Sequence, residues 1–163
     1  MIRLPPFAYV APRSVAKAVG LMSEHGPEAM FVAGGTDLYP NMRRRQFEPR
    51  VLVGLRGIEE LGGIRGEAAT GMSIGAGTTL TEVAEHRAVG EHFPALAAAA
   101  GLVSTPALRN MGTIGGNLCA DPRCNYYNQS YQWRRAAGFC LKKDGDICLV
   151  APKSSRCWAV SST

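Results

Sequence analysis

All five cysteines lie between residues 119 and 157, and four of them are spaced Cys124-x15-Cys140-x7-Cys148-x8-Cys157. From Cys119 onward the apolar periodicity that specifies helices and strands disappears, although this stretch holds both tryptophans and three of the five tyrosines. So long an irregular stretch needs something other than a backbone ladder to order it, and metal ligation by thiolates would serve. The odd count argues against a closed set of disulfides. Zinc favours closely paired ligands such as C-x2-C, and no spacing here is that short. An iron–sulfur cluster takes four thiolates, and wide spacings can reach it. Zinc and ordinary buried thiols stay open as alternatives. Cys119 is left over, as a small apolar residue beside the turn that precedes it.

That turn is glycine-rich, Gly112-Thr113-Ile114-Gly115-Gly116-Asn117. A turn of the same composition, Ala33-Gly34-Gly35-Thr36-Asp37-Leu38, closes an apolar run far upstream. Paired glycines after a strand let the backbone curl until successive N–H groups converge on an anion, and a threonine adds a hydroxyl donor. Neither turn carries the Lys-Ser/Thr pair of a nucleotide-hydrolysing P-loop or a G-x-G-x-x-G fingerprint. Alone, the first reads as a tight strand-to-helix connection with Thr36 or Asp37 as N-cap. Two such turns, each abutting an apolar run, read better as one extended diphosphate gripped from two sides than as two unrelated β-turns. A thiol block beside a phosphate-cradling turn points to a redox protein, with an organic and an inorganic carrier side by side.

The remaining sequence supplies a frame. Residues 1–57 read as a β-α-β unit. Ser14 is placed to cap a helix in which Val15, Ala18, Val19 and Met22 recur at helical spacing until Gly26-Pro27 stops it. Segments 29–33 and 50–55 have strand length and composition, with a helical turn over 38–45 between them. Segment 66–77 is punctuated by glycine, with Met72-Ser73-Ile74 alternating as a strand does. Thr81 is placed to cap a helix through Ala84 and Glu85, the alanine-rich 93–100 reads as another, and 113–118 returns to strand-and-turn chemistry. The expected fold class is α+β, in two subdomains, 1–57 and 58–163. The second is incomplete and carries the irregular cysteine-rich insertion 119–158. The sequence closes on Ser161-Ser162-Thr163 without a final helix or strand, as a fragment or a product shorter than its relatives would.

Charge narrows the partners only slightly. Eighteen basic residues against thirteen acidic ones give +5, much of it in Arg43-Arg44-Arg45 and the cysteine block. Attraction to anionic cofactors or acidic proteins explains this as well as nucleic acid does. The arginine triplet reads as a solvated face. His25, His86 and His92 read as surface or C-terminal capping residues, and Trp133, Trp158 and the tyrosines as packing around a metal site. Met1-Ile2-Arg3-Leu4-Pro5-Pro6 lacks the apolar run of a secretory signal, and no stretch approaches about 18 apolar residues. The expected compartment is the cytoplasm, with no membrane partner.

Taken together, Ala33-Gly34-Gly35-Thr36-Asp37-Leu38 and Thr113-Ile114-Gly115-Gly116-Asn117 resemble the flavoprotein subunits of the molybdenum hydroxylases, the xanthine dehydrogenase and carbon monoxide dehydrogenase group. The block from Asp121 to Trp158 departs from the general family and is similar to the insertion in β subunits of 4-hydroxybenzoyl-CoA reductases. The resemblance runs over essentially the whole chain. It implies a two-subdomain FAD-binding domain of the molybdenum hydroxylase type, with no catalytic side chain of its own. FAD would be bound by Phe31, Val32, Ala33, Gly34, Gly35, Thr36, Asp37 and Leu38, and by Gly112, Thr113, Ile114, Gly115, Gly116 and Asn117. Val103 and Asn125 would be further flavin contacts. Cys124, Cys140, Cys148 and Cys157 would ligate a 4Fe–4S cluster, while Cys119 matches no ligand. The implied assembly is a hetero-oligomer. Reduced ferredoxin would feed the cluster and FAD, and electrons would leave towards a 2Fe–2S small subunit and a molybdopterin-binding large subunit. The implied reaction is reductive dehydroxylation in anaerobic aromatic degradation. Two rivals stand beside it: the FAD subunit of an NAD-linked hydroxylase, and a zinc-stabilised interaction or nucleic-acid-binding module.

Overall fold

The computed structural model describes residues 3–121 and 123–161. Met1, Ile2, Pro122, Ser162 and Thr163, and with them both ends of the chain as read above, lie outside the described residues. The first elements are β1 (Ala8–Val10), α1 (Val15–His25), β2 (Ala29–Val32), α2 (Leu38–Arg43) and β3 (Val51–Gly54). The three strands form a parallel sheet in the order β1-β3-β2. Parallel neighbours need a crossover, and α1 and α2 supply the two. The Ser14 hydroxyl accepts from the Lys17 amide and starts α1; Gly26, at φ 54°, ends it.

Central β3 is buried on both sides, as its apolar run Val51-Leu52-Val53 requires. Successive side chains point to opposite faces. Val53 packs with Ala18 and Leu21 of α1, whereas Leu52 packs with Val32 and Met42 of α2. Both are fully buried. The sheet is thus clamped between the helix that precedes the first glycine turn and the helix that follows it.

A second core lies further along. The antiparallel strands β4 (Ile64–Glu67) and β5 (Gly71–Ile74) pack Ile64, Met72 and Ile74 against Leu80, Val83, Val89 and Ala100. These last four come from α3 (Leu80–Glu85), α4 (Arg87–His92) and α5 (Pro94–Leu102). The cap of α3 is Thr79 rather than Thr81. Its hydroxyl accepts from the Glu82 amide, and the Glu82 carboxylate accepts in return from the Thr79 amide at 2.7 Å. This reciprocal box satisfies two orphan donors at once, which is why it prevails over a cap two residues later. Thr81 instead donates to Asn110 Oδ1 at 2.6 Å. His25 and His92 end α1 and α4, while His86 starts α4, its Nδ1 accepting from the Val89 amide.

Short helices α6 (Pro106–Arg109) and α7 (Ile114–Leu118) lead to the cysteine block. Residues 114–118 are therefore helical, started by the Thr113 hydroxyl accepting from the Gly116 amide. Beyond α7 the described residues hold one more α-helix, α8 (Tyr131–Ala136), and a 3-10 turn, Trp158–Ser161. Among the described residues no helix is long and apolar enough to cross a membrane.

Candidate functional site

The two glycine turns meet. At Gly34 a β-carbon would fall on the Met111 carbonyl, and at Gly112 one would lie 3.4 Å from the Thr36 hydroxyl. Gly35 has φ 71°, and a β-carbon there would strike the Tyr39 ring. Glycine is needed at these places because backbone lies on backbone and one residue adopts the left-handed region. The second turn is tied into the second core by an antiparallel bridge between Thr79 and Thr113. Leu80 N–H donates to Gly112 O and Ile114 N–H to Thr78 O, both at 2.9 Å.

The amides of the two turns are not equivalent. Those of Gly34, Gly35, Thr36 and Asp37 donate to no other described residue. In the second turn Gly112 donates to Leu108 O, Gly115 to Ala76 O, Gly116 to the Thr113 hydroxyl and Asn117 to Thr113 O. Four unspent N–H groups in a row are donors that an anion could use. The second turn packs against the first, and its Thr113 amide is the one in 112–117 without an acceptor among the described residues. Phe31 beside the first turn is exposed. Val103 sits at the end of α5, half-buried against the second core, and Asn125 is exposed next to Cys124.

Asp37 occupies the N-cap position of α2, but its carboxylate does not cap. One oxygen accepts from Asn41 Nδ2 at 2.9 Å, and the other is ion-paired with Arg123. The first turn is thereby joined to the residue just before Cys124.

A second junction runs through residues 44–46. Gln46 Nε2 donates to Tyr127 O at 2.5 Å, Arg44 Nη1 to Asn128 Oδ1 at 2.6 Å, and Arg134 Nη2 to Arg45 O at 3.0 Å. Arg134 is only 1% exposed, with Phe139 against its guanidinium and Asp144 at 3.7 Å. The arginine triplet is thus more than a solvated face: Arg43 is exposed, while Arg44 and Arg45 receive the cysteine block. Nothing local to the triplet signalled this, since its partners lie more than eighty residues away.

Cys124, Cys140, Cys148 and Cys157 line one recess. Tyr126 and Lys142 line it too, and Tyr126 leans on Trp133 at 6.3 Å between ring centres. Cys119 is exposed and outside it. A tight turn brings Cys140 beside Cys148. Lys143 and Gly145 amides donate to Cys140 O, Leu141 N–H donates to Ile147 O, and a β-carbon on Gly145 would press on the Cys140 amide. Cys140 and Cys148 are buried. The Cys148 thiol is held below its ordinary range by hydrogen bonds from the amides of Ala151 and Trp158; burial opposes this and the Val150 amide adds to it. N–H donors aimed at sulfur stabilise a thiolate, the form that ligates metal. Among the described residues no three His, Cys, Asp or Glu side chains come close enough to share a single metal ion.

Residues 5–131 match the model of the FAD-binding domain in molybdopterin dehydrogenases, and the chain belongs to that family. Over 114 residues it is 42% identical to the carbon monoxide dehydrogenase medium chain of Hydrogenophaga pseudoflava, covering 70% of this chain and 39% of that one. It is 40% identical to the nicotinate dehydrogenase FAD-subunit of Eubacterium barkeri over 114 residues, 69% of this chain and 38% of the relative. The solved carbon monoxide dehydrogenase of Hydrogenophaga pseudoflava that lacks the Mo-pyranopterin moiety superimposes with a TM-score of 0.70 at 39% identity, covering 74% of this chain and 42% of that one. The chain therefore spans about two fifths of the length of these relatives. Residues 132–161, with Cys140, Cys148 and Cys157, lie beyond the family match.

Proposed function

We propose that this chain is the FAD- and 4Fe–4S-carrying electron-transfer subunit of a molybdenum enzyme of the 4-hydroxybenzoyl-CoA reductase type. It would work in the cytoplasm, with reduced ferredoxin as donor and 2Fe–2S and molybdopterin subunits as partners. The observation that carries the finer part of this reading is the recess shared by Cys124, Cys140, Cys148 and Cys157. A single tetrahedral zinc would draw four sulfurs to within about 3.8 Å of one another, given Zn–S bonds of about 2.3 Å. No such grouping occurs among the described residues. A cubane takes its four thiolates on separate corners, so its cysteines can stand further apart than those around one zinc. When bound, the cluster and the flavin would supply one- and two-electron carrier chemistry.

The chain's own residues would bind and orient those carriers. The unspent amides of Gly34, Gly35, Thr36 and Asp37 would take the FAD diphosphate, with Phe31, Val32, Ala33 and Leu38 around them. Residues 112–117 would hold that cradle in place, and Val103 and Asn125 would be outlying flavin contacts. The division into 1–57 and 58–163 follows the two glycine turns, one to each part. Cys140 and Cys148 would exclude water from the inner side of the cluster, because both are buried.

Anaerobic isolation followed by iron, zinc and acid-labile sulfide analysis tests this directly. We expect iron and sulfide in equal amounts; zinc without sulfide overturns the cluster. Serine at Cys124, Cys140, Cys148 or Cys157 should lower bound iron, while Cys119→Ser keeps it. Gly35→Val should lower FAD occupancy with iron retained, in a chain long enough to hold flavin. The FAD subunit of an NAD-linked hydroxylase is the second reading, and the relatives above are named as dehydrogenase subunits. Mixing the assembled anaerobic complex with NADH or with reduced ferredoxin separates the two, and rapid bleaching by NADH sinks the reductase assignment.

A further inference from the structure

We propose that Lys142, anchored by Asp121, is a positioning residue that sets the electron affinity of the cluster in the four-cysteine recess. This inference rests on the cluster reading above. Among the described residues lining the recess, Lys142 alone carries a formal charge. It stands two positions after Cys140, and its side chain is 14% exposed, unusual for a residue that normally keeps its ammonium in water. Two contacts hold it there. Nζ lies 2.8 Å from Asp121 Oδ1 and 5.4 Å from the centre of the Tyr127 ring, itself almost fully buried.

Four thiolates concentrate negative charge in a recess where Cys140 and Cys148 are buried, and each electron added deepens it. A cation held near the recess stabilises the reduced form and raises the potential, more strongly where solvent screening is weak. Asp121 opposes part of that effect while holding the ammonium in place. The pair therefore acts as a setting with two ends: removing the cation lowers the potential, and removing the anion raises it. A merely structural pair would not produce opposite signs.

The test uses the full chain, reconstituted anaerobically with ferrous iron and sulfide, in a dye-mediated redox titration read by visible absorption. Wild type, Lys142→Met, Lys142→Arg and Asp121→Asn are compared, with iron and sulfide measured in each. At a poise equal to the wild-type midpoint we expect Lys142→Met to raise the oxidised-to-reduced ratio about tenfold, equivalent to about 59 mV for one electron. Asp121→Asn should move the ratio the other way, and Lys142→Arg should stay within about twofold of wild type. Shifts of the same sign in Lys142→Met and Asp121→Asn, or none beyond twofold, overturn the inference and leave the cluster standing. Should Lys142→Met take up no iron, the sign of the Asp121→Asn shift decides. Wild-type protein that binds neither iron nor sulfide overturns the cluster reading, and this inference with it.

Discussion

Up to Leu118 the chain is organised around three apolar clusters, each fed by strands or helices with readable periodicity. Beyond Leu118 the described residues contribute to none of these clusters. Order there comes from a buried arginine, two side-chain bonds to main-chain carbonyls, an ion pair and a glycine-dependent turn. Burial of apolar surface is non-directional and tolerant, whereas polar anchors depend on geometry and on whatever fills the recess. The first region should hold its shape unaided. The second should depend on its seat at residues 44–46 and, on the reading proposed above, on the cluster.

The largest expected effect follows from that dependence. If the recess holds the proposed cluster, stripping its iron, or replacing Cys140 by Ser, should speed amide exchange across 124–157 by about two orders of magnitude or more, because a bound metal group adds its binding energy to local stability. Exchange across 8–54 should hardly change. Hydrogen-exchange mass spectrometry reads both regions in one experiment, and equal acceleration in both would erase the distinction. Next comes Gly34→Ala, which forces backbone apart at Met111 and should destabilise the first region by about 3 kcal/mol in urea unfolding. Iron content should stay near wild type. Arg134→Met leaves the Arg45 carbonyl without its donor and should cost about 2 kcal/mol, seen as earlier proteolysis after Leu118 than before it.

The smallest effect sits wholly within the first region. Thr79→Ala removes the hydroxyl half of the capping box and should cost about 1 kcal/mol at pH 7. The Thr79 amide, and then its hydroxyl, hold the Glu82 carboxyl below its ordinary value of 4.5. A carboxyl lowered in the folded state contributes stability that is present above 4.5 and is lost as the pH falls through the lowered value. Thr79→Ala keeps the amide and loses only the hydroxyl, so its gap from wild type should narrow in acid without closing, because the hydroxyl still accepts from the Glu82 amide. Thermal melts across a pH series read both.

Legibility followed the same division. The β-α-β unit could be read because Val15, Ala18, Val19 and Met22 keep helical period and 29–33 and 50–55 keep strand length. Thr81 was a poorer cap than Thr79 because only Thr79 has a glutamate three residues on. Helix α7 was hidden by its composition, since Ile-Gly-Gly-Asn-Leu has weak helix propensity and depends on Thr113 to start it. The meeting of the two glycine turns was expected from their composition. That only the first keeps its amides unspent was not, because the acceptors at Ala76, Thr78 and Leu108 are set by tertiary pairing. Arg134 gave no sign in sequence of being buried. A basic residue in an irregular stretch reads as solvated unless its carbonyl partners are known.

The seat at residues 44–46 has one more consequence, for how the chain can change over generations. Arg134 reaches the backbone oxygen of Arg45, and Gln46 reaches the backbone oxygen of Tyr127. A main-chain oxygen is present whatever side chain the residue carries. Positions 45 and 127 can therefore drift without erasing these two bonds, whereas Arg134 and Gln46 cannot be exchanged for shorter or apolar residues without losing them. For these two bonds alone, tolerance is lopsided, broad at the residues whose oxygens are recognised and narrow at those that recognise; Tyr127 is held separately, by the burial of its own ring.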